Sequence, residues 1–150
     1  MTRPGLTMTL DVATHEEEWQ RLWFTLQTRQ WTSLAIMAMD GSADAERVAR
    51  NLAALGQRDG YGPLQTITAM GVGYEDVPRV VNHIASQPGS AGQLIVVCDP
   101  LRRNPAMIPV LHAVTGVVLV VRLGASPVAA VQQVIDTVGR DKVFASIAVG

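Results

Sequence analysis

The sequence contains a single cysteine, Cys98, and only one lysine among its twelve basic residues. One cysteine cannot close an internal disulfide, and no Cys-x-x-Cys pair or Cys/His cluster offers ligands for a structural zinc ion. A chain of 150 residues can bury enough surface to fold without either. We therefore expect a domain from a reducing compartment that needs no metal and no cofactor.

Long apolar runs and a strong net charge are also lacking. No stretch of eighteen apolar residues occurs, and the amino terminus lacks the basic-then-apolar pattern of a signal peptide. The net charge is −1, which gives no electrostatic drive toward nucleic acid or an anionic membrane. We expect a cytoplasmic protein with no nucleic-acid partner and no direct membrane insertion, which reaches the inner membrane only through a partner.

What the chain does contain is a repeated alternation of apolar runs and amphipathic segments. We predict an irregular lead-in over 1–13, followed by a single domain over 14–150. Within that domain we predict helices over 15–29, 44–55, 75–86, 105–113 and 126–138. The predicted strands cover 33–39, 64–69, 93–98, 117–123 and 142–149.

The predicted strands are mostly continuous apolar runs, such as QLIVVC at 93–98. Such runs are typical of strands buried on both faces of a parallel sheet that helices cover. The fold class predicted is α/β: a Rossmann-like three-layer αβα sandwich with a mainly parallel sheet, as in P-loop NTPases. Ligands in such folds lie beyond the carboxyl ends of the strands, here the loops at 40–44, 70–74, 99–105 and 124–127.

The loop after the first predicted strand joins it to a helix, which is the geometry of a phosphate-binding loop. Such a loop needs glycines around the phosphate, a lysine for charge and a Ser or Thr for magnesium. The stretch reads, from residue 40, Asp-Gly-Ser-Ala-Asp-Ala-Glu-Arg, with no Lys-Ser or Lys-Thr. Asp44 and Glu46 fall in the first turn of the helix, where they occupy the positive end of its dipole.

Residues 17–55 resemble the start of the bacterial tyrosine kinases of capsule and exopolysaccharide synthesis, a branch of the ParA/MinD group of P-loop ATPases. The matching residues of the acidic helix are Glu18, Arg21, Leu22 and Leu26, and the family's "NLA" is Asn51-Leu52-Ala53. LIVVCDP at 94–100 is similar to the Walker B strand, and residues 116–135 are similar to a later segment of the family.

The departures from this family concern its catalytic residues. By the resemblance, the essential lysine falls on Ala45 and the Ser/Thr on Glu46, so the degenerate P-loop comprises Gly41, Ser42, Asp44, Ala45 and Glu46. The second acidic strand motif is not recognisable in 64–74, and no tyrosine cluster follows at the carboxyl terminus. The resemblance therefore implies the family's fold, and its kinase activity is not carried over.

Four polar residues are candidates for a ligand site at the carboxyl rim of the sheet: Asp99, Arg102, Arg103 and Arg122. Asp99 is either a surviving Walker B carboxylate or phosphoacceptor, or an aspartate that caps the turn before Pro100. The arginines suit a phosphate or a partner's carboxylate, although exposed loop arginines are commonly just solvated. A receiver-like alternative groups Asp99 with Asp40, Ser126 and Lys142.

The three tryptophans, Trp19, Trp23 and Trp31, lie in or near the first predicted helix. Core packing explains them most simply, and an exposed face would make them a partner-binding site. The matching helix of the kinase family lies near subunit contacts, which the resemblance extends to this chain. Cys98 ends a buried strand and is interpreted as inert packing.

Two functions compete at this stage. The first is a non-catalytic relative of the polysaccharide-synthesis kinases that binds a protein partner in the synthesis or export machinery, or forms a homo-oligomer. The second is a small-molecule-binding domain or enzyme that uses the rim of Asp99, Arg102 and Arg103 for a phosphate-bearing ligand, such as a nucleotide sugar or cyclic dinucleotide.

Overall fold

The computed structural model describes residues 6–9, 16–40, 43–58, 64–86, 92–122, 124 and 128–149. The strands are β1 (Leu6–Thr9), β2 (Ser33–Ala38), β3 (Leu64–Thr68), β4 (Gln93–Cys98), β5 (Gly116–Arg122) and β6 (Val143–Val149). The helices are α1 (Glu16–Gln27), α2 (Asp44–Arg58), α3 (Val77–Ala85), α4 (Met107–Ala113) and α5 (Val128–Val138), with a short 3-10 helix at Arg140–Lys142.

The described strands form one sheet in the order β1-β6-β5-β2-β4-β3, and every pairing is parallel. The three central strands follow from their sequences, because β2, β4 and β5 consist largely of apolar residues that are buried almost throughout. Residues buried on both faces suit strands that helices cover on two sides. The predicted α/β fold with a parallel sheet is therefore confirmed.

The helices lie on both faces of the sheet, over two separate hydrophobic cores. Side chains of α1 and α2 pack with alternate strand residues such as Ile36, Val97 and Val118 in the first core. The second core unites α3, α4 and α5 with the intervening strand residues, among them Met37 and Leu119. The period of two along each strand thus divides the apolar residues between two helical layers, which gives the three-layer αβα sandwich.

Two predictions about local structure are wrong. The predicted irregular lead-in includes strand β1, which pairs with β6 from Leu6↔Ala145 to Thr9↔Ala148. A four-residue strand next to proline and glycine gives little local signal, and among the described strands its pairing partner is the distant β6. Helix α2 was predicted to end before Gly56 but continues to Arg58. Gly56 is instead the point where the ring of Trp23 and the side chain of Leu64 approach the helix backbone.

The connections between strands change direction along the sheet at β2. From β2 the chain runs through α2, on one face, to β3 at the edge, whereas from β4 and β5 it continues through α4 and α5 on the other face. Adjacent strands whose connections leave in opposite directions open a crevice at their carboxyl ends. The loop that follows β2 borders this crevice, and it is the loop that resembles a phosphate-binding loop.

Candidate functional site

An ion pair at the crevice beyond β2 joins two elements that are far apart in sequence. The guanidinium of Arg122, at the end of β5, donates to Asp44 at the start of α2, with Nη2 and Oδ2 2.6 Å apart. The Nε of the same arginine lies 3.4 Å from Oδ2 of Asp40, which follows β2. Arg47 approaches the other oxygen of Asp44, with Nη1 and Oδ1 3.8 Å apart.

Burial makes this pair different from an ordinary surface contact. The side chain of Asp44 is 2% exposed and that of Arg122 is 37% exposed. A buried carboxylate must be paired, because its transfer out of water is costly otherwise. Arg122 therefore offsets the charge of Asp44 and links the first turn of α2 to the end of β5.

These contacts put two carboxylates beside the guanidinium of Arg122 in the part of the loop that the structure describes. A phosphate that engaged Arg122 would separate it from Asp44 and would then face the carboxylates of Asp40 and Asp44. A like charge at 4 Å costs about 4 kcal/mol even at an effective dielectric near 20. Asp44 also lies in the first turn of α2, where it meets the positive end of the helix dipole that would otherwise attract an anion.

The positions of the missing lysine and hydroxyl have other roles. Ala45 is buried, with 1% of its surface exposed, in the core between α2 and the sheet. Glu46 is exposed and lines a cavity beside β3. Gly41 and Ser42 of the predicted degenerate P-loop lie outside the described residues.

Asp99 is a structural carboxylate that joins two loops. It is 7% exposed, and its Oδ2 accepts hydrogen bonds from the backbone N–H of Gly71 at 2.6 Å and from Nδ2 of Asn104 at 3.1 Å. Nδ2 of Asn104 also donates to the carbonyl of Val72 at 2.9 Å. Gly71 has a φ of +77°, which favours glycine at this close approach. These contacts engage Oδ2 of Asp99 and link the loop after β3 to the loop after β4.

The four predicted rim residues have different partners. Arg122 contacts Asp40 and Asp44, and Asp99 is held within the loops that follow β3 and β4. Arg102 and Arg103 are exposed in the loop after β4. These contacts of Asp99 and Arg122 are with different residues, so the structure does not bring the four together in one anion site.

The receiver-like grouping is also not formed. Lys142 immediately precedes β6, whereas Asp99 immediately follows β4. Because all the pairings are parallel, the two residues lie at opposite ends of the sheet. Nζ of Lys142 donates to the carbonyl of His112 at the end of α4, at 2.8 Å, and burial lowers the pKa of this lysine. Ser126 lies outside the described residues.

The tryptophans belong to the first hydrophobic core. Trp19, Trp23 and Trp31 are 6%, 0% and 2% exposed, and the rings of Trp23 and Trp31 meet edge to face at 6.0 Å between centroids. This corrects the expectation of a partner-binding tryptophan face, since none of the three rings is available at the surface. The aromatic residue of α1 that is exposed is Phe24, at 48%.

Cys98 is a packing residue. It is 1% exposed, and burial together with the neighbouring charge of Asp99 raises the pKa of its thiol to about 12. The thiolate needed for nucleophilic or redox chemistry is therefore absent near neutral pH. Among the described residues, no group of three or more His, Cys, Asp or Glu side chains is arranged to hold a metal ion.

One residue of the ion pair could be recognised from the sequence, and the other could not. An arginine in a strand of apolar neighbours marked Arg122 as unusual, which is typical of a partly buried charge. Its partner is 78 residues earlier, and nothing local to Asp44 distinguishes a buried carboxylate from a solvated one in a helix's first turn. The cavity beside β3 had no recognised sequence signal.

The architecture is that of an α/β domain, a Rossmann-like three-layer αβα sandwich with a parallel sheet. A similar solved structure is the kinase domain of the Escherichia coli tyrosine kinase ETK, with a TM-score of 0.67 at 13% sequence identity. The similarity covers 99% of this chain and 90% of that kinase domain. No family model matches the chain, and no curated protein matches it. At this identity the likeness establishes the fold.

None of the described helices is both long enough and apolar enough to cross a membrane.

Proposed function

We propose that this chain is a non-catalytic, kinase-like protein that acts as an interaction or regulatory subunit in bacterial exopolysaccharide or capsule biosynthesis or export. The observation that carries the non-catalytic part is the buried carboxylate of Asp44, paired with Arg122 in the crevice beyond β2. In a P-loop fold this crevice is where backbone N–H groups, a lysine and a magnesium ion hold the phosphates.

The ion pair supports a structural purpose for the crevice in place of a catalytic one. Arg122 supplies a fixed cation to the loop, so the loop needs no bound nucleotide for its charge balance. Ala45 and Glu46 provide neither the lysine charge nor the hydroxyl that would hold magnesium. A kinase-like fold without these groups can still present surfaces to partners, which is the role proposed here.

The choice of pathway rests on the resemblance of residues 17–55, 94–100 and 116–135 to the polysaccharide-synthesis kinases, and it agrees with the fold shared with the ETK kinase domain. We infer a cytoplasmic protein partner in the synthesis or export machinery, which would bring this chain to the inner membrane. A homo-oligomer is the second form that the proposal allows.

Two experiments test the two parts of the proposal separately. The purified chain is incubated with Mg-ATP and a Glu/Tyr copolymer, with the ETK kinase domain as positive control, and we expect no phosphotyrosine. Deletion of the gene should change the amount or the chain length of the surface polysaccharide, and the wild-type gene should restore it. Phosphotyrosine formation would contradict the non-catalytic part, and an unchanged polymer would contradict the pathway.

The phosphate-bearing-ligand hypothesis now depends on Arg102 and Arg103, both exposed. Nucleotide sugars and cyclic dinucleotides can be screened by thermal shift, where a true ligand stabilises the fold by about 2.7 kcal/mol at a hundredfold excess over Kd. A shift that disappears in the Arg102→Ala, Arg103→Ala double variant, but persists in Arg140→Ala, would replace the proposal above with a ligand-binding role.

A further inference from the structure

Strand β3 presents an open edge of the sheet. It pairs with β4 on one side, and no described strand pairs with its other side. The N–H of Ala69 donates to the carbonyl of Val97 on β4 at 2.7 Å. Because peptide groups alternate in direction along a strand, those of Leu64, Thr66 and Thr68 point away from β4. Thr66 and Thr68 are exposed, so this edge can accept another extended backbone.

A cavity of about 350 Å³ lies beside this edge, between α2 and β3. Its walls include Glu46, Ala49, Arg50 and Ala53 of α2 and Thr66 and Thr68 of β3. The spacing of the helix residues puts all four on one side of α2. Two of them are alanines, so the space that longer side chains would fill is open. Its volume is at the lower end of the range for ligand pockets.

The charges at the cavity favour an acidic group in one position. Arg50 is exposed, and neither Arg50 nor Glu46 takes part in an ion pair within the described part of the chain. A guanidinium beside an apolar hollow suits a carboxylate, which it can bind through two hydrogen bonds. Glu46, one turn away on the same side of α2, repels that carboxylate and so restricts it to the Arg50 end of the cavity.

An extended peptide satisfies all three features together, since its backbone pairs with the strand edge and its alternate side chains face the helix. We propose that the edge of β3 and the adjoining cavity form a docking site for an extended segment of a partner protein. The segment places an apolar side chain over the half-buried Ala53 and, two residues away on the same face, an aspartate or glutamate on the exposed Arg50. This inference rests on the proposed interaction role and names the surface and the chemistry of the partner.

The direct test is an NMR titration of the ¹⁵N-labelled chain with the capped peptide acetyl-Thr-Val-Thr-Asp-Thr-Val-Thr-amide. We expect saturable shifts at the amides of β3 and of the facing side of α2. The same peptide with Lys in place of Asp should bind at least tenfold more weakly. Arg50→Glu should reverse that preference. The control is Arg140→Glu, which lies just before β6, far from β3 in the strand order, and should leave the preference unchanged.

Two further variants separate the backbone and cavity contributions. Thr66→Pro removes an outward N–H without removing a ladder hydrogen bond, so binding should fall at least tenfold while the fold persists. Ala53→Leu fills the cavity from a half-buried position and should weaken binding by a similar factor. If Thr66→Pro does not fold, Ala53→Leu and Arg50→Glu still decide the question.

Three results would overturn the docking site. These are no shifts with either peptide at millimolar concentration, shifts that map away from β3 and α2, and equal affinity for the Asp and Lys peptides. A concentration-dependent dimer joined through β3, detected by light scattering and abolished by Thr66→Pro, would make a second copy the occupant and would also contradict the proposal. Each of these outcomes leaves the nucleotide and polysaccharide tests unaffected.

Discussion

Asp44 and Arg122 form an ion pair in which only the aspartate is buried. Asp44 is nearly inaccessible, whereas Arg122 reaches solvent with about a third of its side chain. The arginine therefore offsets the charge of the aspartate and is itself partly hydrated. Loss of the arginine should lower the stability of the fold more than loss of a surface partner, because it leaves the buried carboxylate without its closest cation.

Arg122→Met should lower the free energy of unfolding by about 1–3 kcal/mol, the usual cost of a buried polar group left without its partner. Urea denaturation at neutral pH measures this change. The matched control is Arg79→Met, whose pair with Asp76 is exposed on both sides and should cost less than about 0.5 kcal/mol. Equal effects of the two variants would contradict the structural role of the crevice.

The pH dependence of stability should report on Cys98. Burial raises the pKa of its thiol from 9.0 to about 12, so between these pH values the folded state retains a proton that the unfolded state releases. The stability that the folded chain gains by keeping this thiol protonated is fully present below pH 9 and is lost as pH rises toward 12. Urea denaturation at pH 8 and at pH 11 measures the unfolding free energy of wild type and of Cys98→Val. Between the two pH values, the wild type should lose more stability than the variant. A constant difference would contradict the burial of an ionisable thiol.

Residue roles were predictable where they depend on neighbours in sequence. The acidic first turn of α2 and the packing role of Cys98 follow from local patterns. The contacts of Asp99 with Gly71 and Asn104 depend on two loops meeting in space, and the pairing of Arg122 with Asp44 depends on the neighbouring positions of β5 and β2. Local sequence contains no information on which loops meet.

Helix α2 shows how packing can override an intrinsic preference. A glycine inside a helix usually weakens it by about 1 kcal/mol relative to alanine, and for this reason Gly56 looked like a helix end. In the structure, a Cβ at Gly56 would lie 2.7 Å from Cδ2 of Leu64 and 2.9 Å from the ring of Trp23. The helix continues because the missing side chain is what lets the strand and the tryptophan pack against it.

Gly56→Ala should therefore destabilise the chain by about 1–2 kcal/mol, since overpacking of this kind costs about 1–3 kcal/mol and exceeds the gain in helix propensity. Thermal unfolding followed by circular dichroism measures the effect. Gln57→Ala, one residue later and exposed, is the control and should be neutral within about 0.5 kcal/mol. A more stable Gly56→Ala variant would show that α2 does not pack as described.

Over the whole molecule, the class of fold was predictable and the strand order was not. Continuous apolar runs in β2, β4 and β5 identify buried parallel strands, and amphipathic segments between them identify covering helices. The position of β2 between β5 and β4 depends on which helices cover which face of the sheet. The periodicity of apolar residues does not specify that division. Strand β1 was missed because its stability comes from β6, at the far end of the chain.

Our central inference is that the ion pair between Asp44 and Arg122 takes the place of a bound nucleotide in this fold. Its most direct test is isothermal titration calorimetry of the purified chain with ATP and magnesium. The account predicts no saturable heat, which corresponds to a Kd weaker than about 1 mM. Saturable binding of Mg-ATP with a micromolar Kd, lost on substitution of residues in the loop after β2, would contradict it.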